Sequence, residues 1–279
     1  CNPATPNGSL HPSEACDDGN STNGDGCNST CDIEANWSCD RPVSFTSIVA
    51  ESYAGASANW NISNGGRTGT QTTNTGHGTF GLFGASAFTA TYTFQLRVAT
   101  TSDDDFIGFA LGFSPGETGS GANTNYLLLD WKQADQATGA VFGDKGMALS
   151  HVTNTPTFDN LWGHTGPVTE LIRGANVNGI NYSTTGWADN TTYSVEITYR
   201  SASLRVLING NVAFNVLASQ FGNRFPNGFP DGQIAFYGLS QEQVQYTVTG
   251  PFGASSCNRA PTASDRTVVV ASGTKIGRA

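Results

Sequence analysis

Charge is scarce in this chain. Only 13% of its 279 residues are charged, and lysine occurs three times, at Lys132, Lys145 and Lys275. With a formal net charge of −9, no basic stripe is available for nucleic acid and no polybasic patch for an anionic bilayer, both of which are bound through clustered Lys and Arg. No apolar run approaches the roughly 20 residues that cross a bilayer, so membrane insertion is not expected, and no signal peptide is read. Cys1 reads as the first residue of a processed or trimmed chain; a lipid-modified cysteine there would leave five others, an odd number that cannot all pair. Glutamate is also thin. Its seven copies stand singly, so the Glu-x-Asp-x-x-Glu and Glu-x-Glu spacings by which jelly-roll glycosidases set two carboxylates about 5 Å or more apart are missing. Asp103 and Asp105 are the one candidate pair. A P-loop and a His-Glu-x-x-His zinc site are absent too. The chain is not expected to be an enzyme.

Glycine, by contrast, occurs 34 times, amid abundant Thr, Ser and Asn. That is the composition of an all-β extracellular protein rich in turns. Residues Phe88 to Val98 alternate apolar and polar without a break, which predicts a strand with one buried and one wet face. The same period returns at Val195–Tyr199, at Leu204–Ile208 and at Val212–Val216, the last two joined by the hairpin signal Asn209-Gly210. Ile234–Phe236 and Val244–Val248 follow. Strands every ten or so residues with almost no helical periodicity predict a two-sheet jelly-roll sandwich.

Six cysteines complete the inventory: Cys1, Cys16, Cys27, Cys31, Cys39 and Cys257. An even count in a Lys-poor chain indicates disulfides and an oxidising, secreted or cell-surface location. Zinc is disfavoured because no Cys-x₂-Cys pair exists. Residues 1–40 hold five of the six and almost no core, so they form a small cap held by cross-links, metal or its neighbour. Within it Asp17, Asp18, Asn20, Asn23 and Asp25 are spaced by glycines. Such a loop is either an oxygen cage for Ca²⁺ or a cluster of Asx turns capping its own backbone.

One stretch draws the eye. Asp103, Asp104 and Asp105 lead directly into Phe106–Phe113, in which Ile107, Phe109, Leu111 and Phe113 are read on one face and Gly108, Ala110 and Gly112 on the other. Tyr126–Gln133 reads as a second inner strand. Three adjacent carboxylates repel one another and make a poor strand start unless something cationic sits among them. The run is either a Ca²⁺ site, with Asp130 as a further ligand, or a solvated acidic turn.

The strings DDDFIGFALGF and YLLLDWKQADQ resemble the C-terminal lectin-like domain of thrombospondins. The likeness continues in order through Leu161-Trp162-Gly163-His164-Thr165-Gly166, Gly186-Trp187, and Gly232–Tyr237 running into Ser240-Gln241-Glu242. Gly163 departs from the family's pattern, interrupting its Trp-His-Thr-Gly. The resemblance implies an L-type lectin or concanavalin-like sandwich, shared with laminin-G modules, and favours adhesion over catalysis. It also implies that the acidic run serves structure and calcium. It supports a Cys39–Cys257 bridge, as does the frequent pairing of first and last strands in such sandwiches; pairing among Cys1, Cys16, Cys27 and Cys31 stays open. The cap resembles small cysteine-rich repeats of bacterial surface proteins.

The expected organisation is therefore a cap at 1–40, a sandwich at 41–257, and a tail at 258–279 whose Thr267–Ala271 is either the first strand of a following Ig- or cadherin-like repeat, a donated strand, or a disordered stub. The expected function is a calcium- and disulfide-stabilised extracellular module of adhesion or surface assembly. Its partner would be a matrix or cell-surface protein, a glycan, or a second copy of itself. The alternative is a lectin in which Trp162, His164 and Trp187 meet sugar rings; this requires an exposed aromatic beside Asp or Asn groups in a concave site.

Overall fold

Alternation becomes strand wherever one face can be buried. In Thr91–Val98, Tyr92, Phe94, Leu96 and Val98 are buried while Thr91 and Gln95 are exposed. The computed structural model describes residues 22–30, 32, 34–35, 37–40, 45, 47–86, 91–119, 123–250 and 256–259. Two large sheets account for most of them. Their strands are β1 (Val49–Ser52), β2 (Trp60–Ser63), β3 (Thr68–Gln71), β4 (Thr79–Ser86), β5 (Thr91–Val98), β6 (Phe106–Phe113) and β7 (Asn125–Lys132). They continue as β8 (Gly146–Thr153), β9 (Val168–Arg173), β10 (Tyr193–Arg200), β11 (Ser203–Ile208), β12 (Asn211–Leu217), β13 (Gln233–Leu239) and β14 (Val244–Val248). One sheet runs β9-β8-β7-β6-β13-β4-β1 and the other β12-β11-β10-β5-β14-β3-β2. Pairing is antiparallel in both. The expected all-β, two-sheet sandwich is the observed fold.

The main core lies between the sheets. Ile107, Phe109 and Leu111 of β6 and Leu127, Leu129 and Trp131 of β7 meet Tyr92, Phe94 and Leu96 of β5 and Val195, Ile197 and Tyr199 of β10. Phe236 and Tyr246 stack across the layers at 4.4 Å. Each such side chain contributes about 1.5–3 kcal/mol on burial. The Asn209-Gly210 turn has φ of 49° and 79°, as a tight hairpin requires.

Phe113 corrects the period-two reading of β6. It lies not with Ile107 and Phe109 but in a second cluster with Phe106, Ala110, Tyr126, Leu128 and Tyr237, on the outer face of the first sheet. A register shift opposite Gln233 and Ile234 puts Gly112, at φ 74°, in a bulge and turns the next side chain over.

Over this outer face lies a short helix, α1 (Phe158–Gly163). Thr157 caps it: its hydroxyl accepts from Asn160 N while Asn160 Oδ1 accepts from Thr157 N at 3.0 Å. Leu161 and Trp162 are its buried residues, and His164 ends it in the left-handed region at φ 48°.

Away from the large sheets, Trp37–Asp40 pairs antiparallel with Ser256–Arg259, and Cys39 stands opposite Cys257 in that register. Cys27 is buried and disulfide-bonded. Cys1, Cys16, Cys31, Asp17, Asp18, Asn20 and the Thr267–Ala271 segment lie outside the described residues. Among the described residues no helix is long and apolar enough to cross a membrane.

Candidate functional site

The start of β6 and the end of β7 are register partners, Phe106 opposite Lys132. This pairing puts a lysine into the acidic run. Lys132 is fully buried, and its Nζ donates to Asp105 Oδ1 at 2.7 Å, Gln136 Oε1 at 3.0 Å and the Asp104 carbonyl at 3.3 Å. All three ammonium hydrogens are used. The Trp162 and Phe106 rings lie 4.4 and 5.1 Å from Nζ, adding cation–π attraction. Burial holds Asp105 up at about 6 despite the lysine beside it.

The cationic partner that the acidic run calls for is thus supplied by the chain. Asp105 is 3% exposed, whereas Asp103 and Asp104 are half-buried. One carboxylate oxygen from each of the three lies within 4.8 Å of the others, an arrangement able to hold a metal ion. Asp103 accepts from Asn74 Nδ2. Since Asp105 serves Lys132, the Asp103–Asp105 pair is not a free acid and base.

Asp130 is not part of that group. It is 1% exposed, and its Oδ2 faces His164 Nε2 at 2.9 Å; His164 Nδ1 faces Glu170 Oε2 at 3.2 Å, which also accepts from Arg173 Nη1. Burial opposes a charged His164, but Asp130 and Glu170 outweigh it and hold the imidazolium up at about 9. The hydrogen bond from His164 holds Glu170 below the usual carboxylate range. The left-handed turn at His164 aims the ring from the end of α1 back onto the sheet.

The aromatic residues expected to meet sugars do something else. Trp162 is 3% and Trp187 2% exposed. Trp162 donates to the Gln136 carbonyl, and Trp187 donates to the Asp105 carbonyl at 3.0 Å. The His164 side chain is 8% exposed, between two carboxylates. None of the three presents a ring to solvent, so their reading as sugar platforms is corrected. Gly186 lets this segment touch β7, because a Cβ there would stand 1.9 Å from the Gln133 carbonyl oxygen. Gln241, fully buried, accepts from Asp105 N at 3.1 Å. The dispersed strings DDD, WKQ, WGH, GW and SQE therefore converge on one buried clamp around Lys132.

In the cap loop, Asn23 Oδ1 accepts from Ser29 N at 2.9 Å, and Glu34 accepts from Gly24 N and Gly26 N. Glu34 was not singled out in the sequence, although carboxylate capping of a Gly-rich turn is a familiar device. Asp25 lies inside the span it fastens. Gly112-Phe113-Ser114-Pro115-Gly116 has the spacing of a nucleophile elbow, yet β6 runs there into a turn, and Ser114 bonds to Glu117. His151 is engaged with Asn125 and Arg224, and His164 with Asp130 and Glu170.

An open polar cleft of about 450 Å³ lies beyond the His164–Glu170 pair. It is lined by Asp135, Asp144, Lys145, Glu170, Arg173, Ser183 and Thr184. Arg173 Nη2 donates to the carbonyls of Lys145 and Ser183, at 2.6 and 3.0 Å. Asp135 Oδ1 accepts from Lys145 N at 2.7 Å.

Among solved structures, a carbohydrate-binding module CBM66 from Bacillus subtilis is similar at 10% identity, with 79% of this chain and 95% of that one covered and a TM-score of 0.43. A Bacillus subtilis protein with a galectin-like fold is similar at 9% identity, covering 75% and 89%, TM-score 0.45. The Emp47p carbohydrate recognition domain is similar at 12% identity, covering 80% and 90%, TM-score 0.39. No curated protein matches. The family model of the thrombospondin C-terminal region matches residues 55–249, which hold every string of the clamp. By that match, the chain belongs to the thrombospondin C-terminal region family.

Proposed function

We propose that this chain is a non-catalytic extracellular module of adhesion or surface assembly, stabilised by calcium and by disulfides. The observation that carries this reading is how the family strings are used. Their acids, lysine, histidine and tryptophans are consumed in a buried clamp whose polar atoms are largely satisfied by one another. Catalysis needs the opposite: an acid and a base held open to substrate. What the clamp secures is the shape of the sheet face and its loops, as a binding or assembly surface requires.

Calcium fits the outer side of the acidic run. Three carboxylates less one ammonium leave a net charge of −2 beside half-buried Asp103 and Asp104. A divalent ion neutralises it, and oxygen donors are the type Ca²⁺ takes. Asn23 and Asp25 of the cap loop, with Asp17, Asp18 and Asn20, are the second candidate set. The test is thermal unfolding of the full chain with calcium and with EDTA, beside Asp103→Asn/Asp104→Asn. Chelation is expected to lower the Tm of the unaltered chain by several degrees or more, and that of the variant by less. Identical melts in calcium and EDTA would remove calcium from the reading.

Self-association through Thr267–Ala271 is part of the same proposal. Edge strands β1 and β2 border the sandwich, where Val49 is 59% and Ile62 38% exposed. Sizing the chain with and without residues 260–279 tests it. A monomer in both samples rejects the donated strand.

A further inference from the structure

We propose that the polar cleft between Asp144 and Arg173 binds a neutral or amino-bearing hexose residue of a glycan. The proposal rests on the adhesion reading for the class of partner and names where that partner would be held. Its volume of about 450 Å³ falls within the range of roughly 300–1,000 Å³ common to small-ligand sites.

The lining of the cleft holds both engaged and free polar groups. Arg173 is spent on carbonyls and on Glu170, and Glu170 is tied through His164 to buried Asp130. That chain of bonds anchors these two side chains in the interior, so they are set before a ligand arrives. Elsewhere in the lining, no hydrogen bond or ion pair among the described residues uses the Asp144 carboxylate or the Lys145 ammonium. Acceptors on a carboxylate and donors on an ammonium, side by side, match neighbouring hydroxyls of a pyranose ring, each of which both donates and accepts. Asp135, Asp144 and Glu170 outnumber Lys145 and Arg173 three to two, which disfavours sialylated, sulfated or uronic sugars.

An exposed aromatic lies two residues before Asp144 in the chain. Phe142 is 53% exposed, although it sits on a short hairpin strand whose neighbours Val141 and Gly143 turn inward. Gly143, packed against the Trp162 indole, separates Phe142 from Asp144, which is also exposed, so both point to the outward side. An exposed phenyl two residues from Asp144 would offer a face to the C–H side of a sugar held there.

The test is retention of the full chain on an array of neutral, hexosamine-terminated and acid-terminated glycans, beside Phe142→Ala and Asp144→Asn. Both positions are exposed, and an unchanged Tm certifies their folding. Retention of neutral or hexosamine glycans, weakened at least tenfold by each substitution, is the expected result. A blank array, preference for acidic glycans, or retention unchanged in both variants overturns the cleft. Adhesion to cells with and without glycosidase treatment separates the two readings. Equal adhesion with a blank array leaves adhesion standing and removes the cleft; glycan retention without cell adhesion does the reverse.

Discussion

Lys132 Nζ stands 2.7 Å from Asp105 Oδ1, and neither side chain is more than 4% exposed. A buried pair adds little over a well-packed apolar pair, but breaking it leaves an uncompensated charge. Lys132→Met is therefore expected to cost about 3–5 kcal/mol, and Asp105→Asn/Lys132→Met distinctly less. Urea denaturation of both variants measures this. A single variant as stable as the unaltered chain would show that the clamp does not hold the fold.

His164 gives a pH dependence of known sign. Its folded value of about 9 exceeds the ordinary histidine value of 6.5, so the native state binds the extra proton between them. The stabilisation is complete below pH 6.5 and lost as pH rises through about 9. It amounts to a contribution on the order of 3 kcal/mol. His164→Gln should flatten the fall in stability between pH 6.5 and 9, measured as the difference from the unaltered chain at each pH. Parallel curves would reject the assignment.

Two glycines should respond in opposite ways. A Cβ on Gly108 would stand 2.0 Å from the Leu129 carbonyl oxygen, so Gly108→Ala should cost more than about 4 kcal/mol or prevent folding. Gly163 lies inside α1, and the nearest atom to a Cβ there is Val141 Cβ at 3.4 Å. Gly163→Ala should stabilise by up to about 1 kcal/mol, because alanine favours helix. Thermal melts of the two variants check both directions.

Cys39 and Cys257 are expected to be joined. They are opposite partners in an antiparallel pair, and closing so long a loop contributes about 5 kcal/mol on the chain-entropy account. Non-reducing peptide mapping after cleavage at glutamate, which separates Cys39 (residues 35–51) from the other four N-terminal cysteines, should recover that segment joined to residues 243–279 as one species. Their recovery as separate thiols would end the idea.

Much of this fold is written in the sequence as period two. The inner residues of β5 and β10 face a large apolar layer, and a half-buried strand can record that in no other way. Phe113 escapes the rule because of the bulge at Gly112, a position where a Cβ would lie 2.3 Å from the Pro230 carbonyl oxygen. Six-residue α1 is too short to display a helical period. The acidic run announces a need for a cation, but the register that meets it joins Phe106 to Lys132 across a loop. Trp162 and Trp187 look available in Gly-rich surroundings; only the packing shows that one covers Lys132 and the other holds Asp105. The cleft has no linear signature, since Asp135, Asp144-Lys145, β9 and Ser183-Thr184 each supply a part.

The pairing of Trp37–Asp40 with Ser256–Arg259 bears on how the molecule meets mechanical pull. Trp37 and Arg259 are partners at the end where the chain comes in and goes out. Tension between them peels the ribbon one pair at a time, the geometry of an opening zipper. With Cys39 and Cys257 joined, peeling halts once Trp37–Arg259 and Ser38–Asn258 have parted. Force then passes from one flank to the other through two sulfur atoms, and β1 to β14 stay out of its path. The sandwich hangs beside the strained line and keeps its surface in shape under stretch.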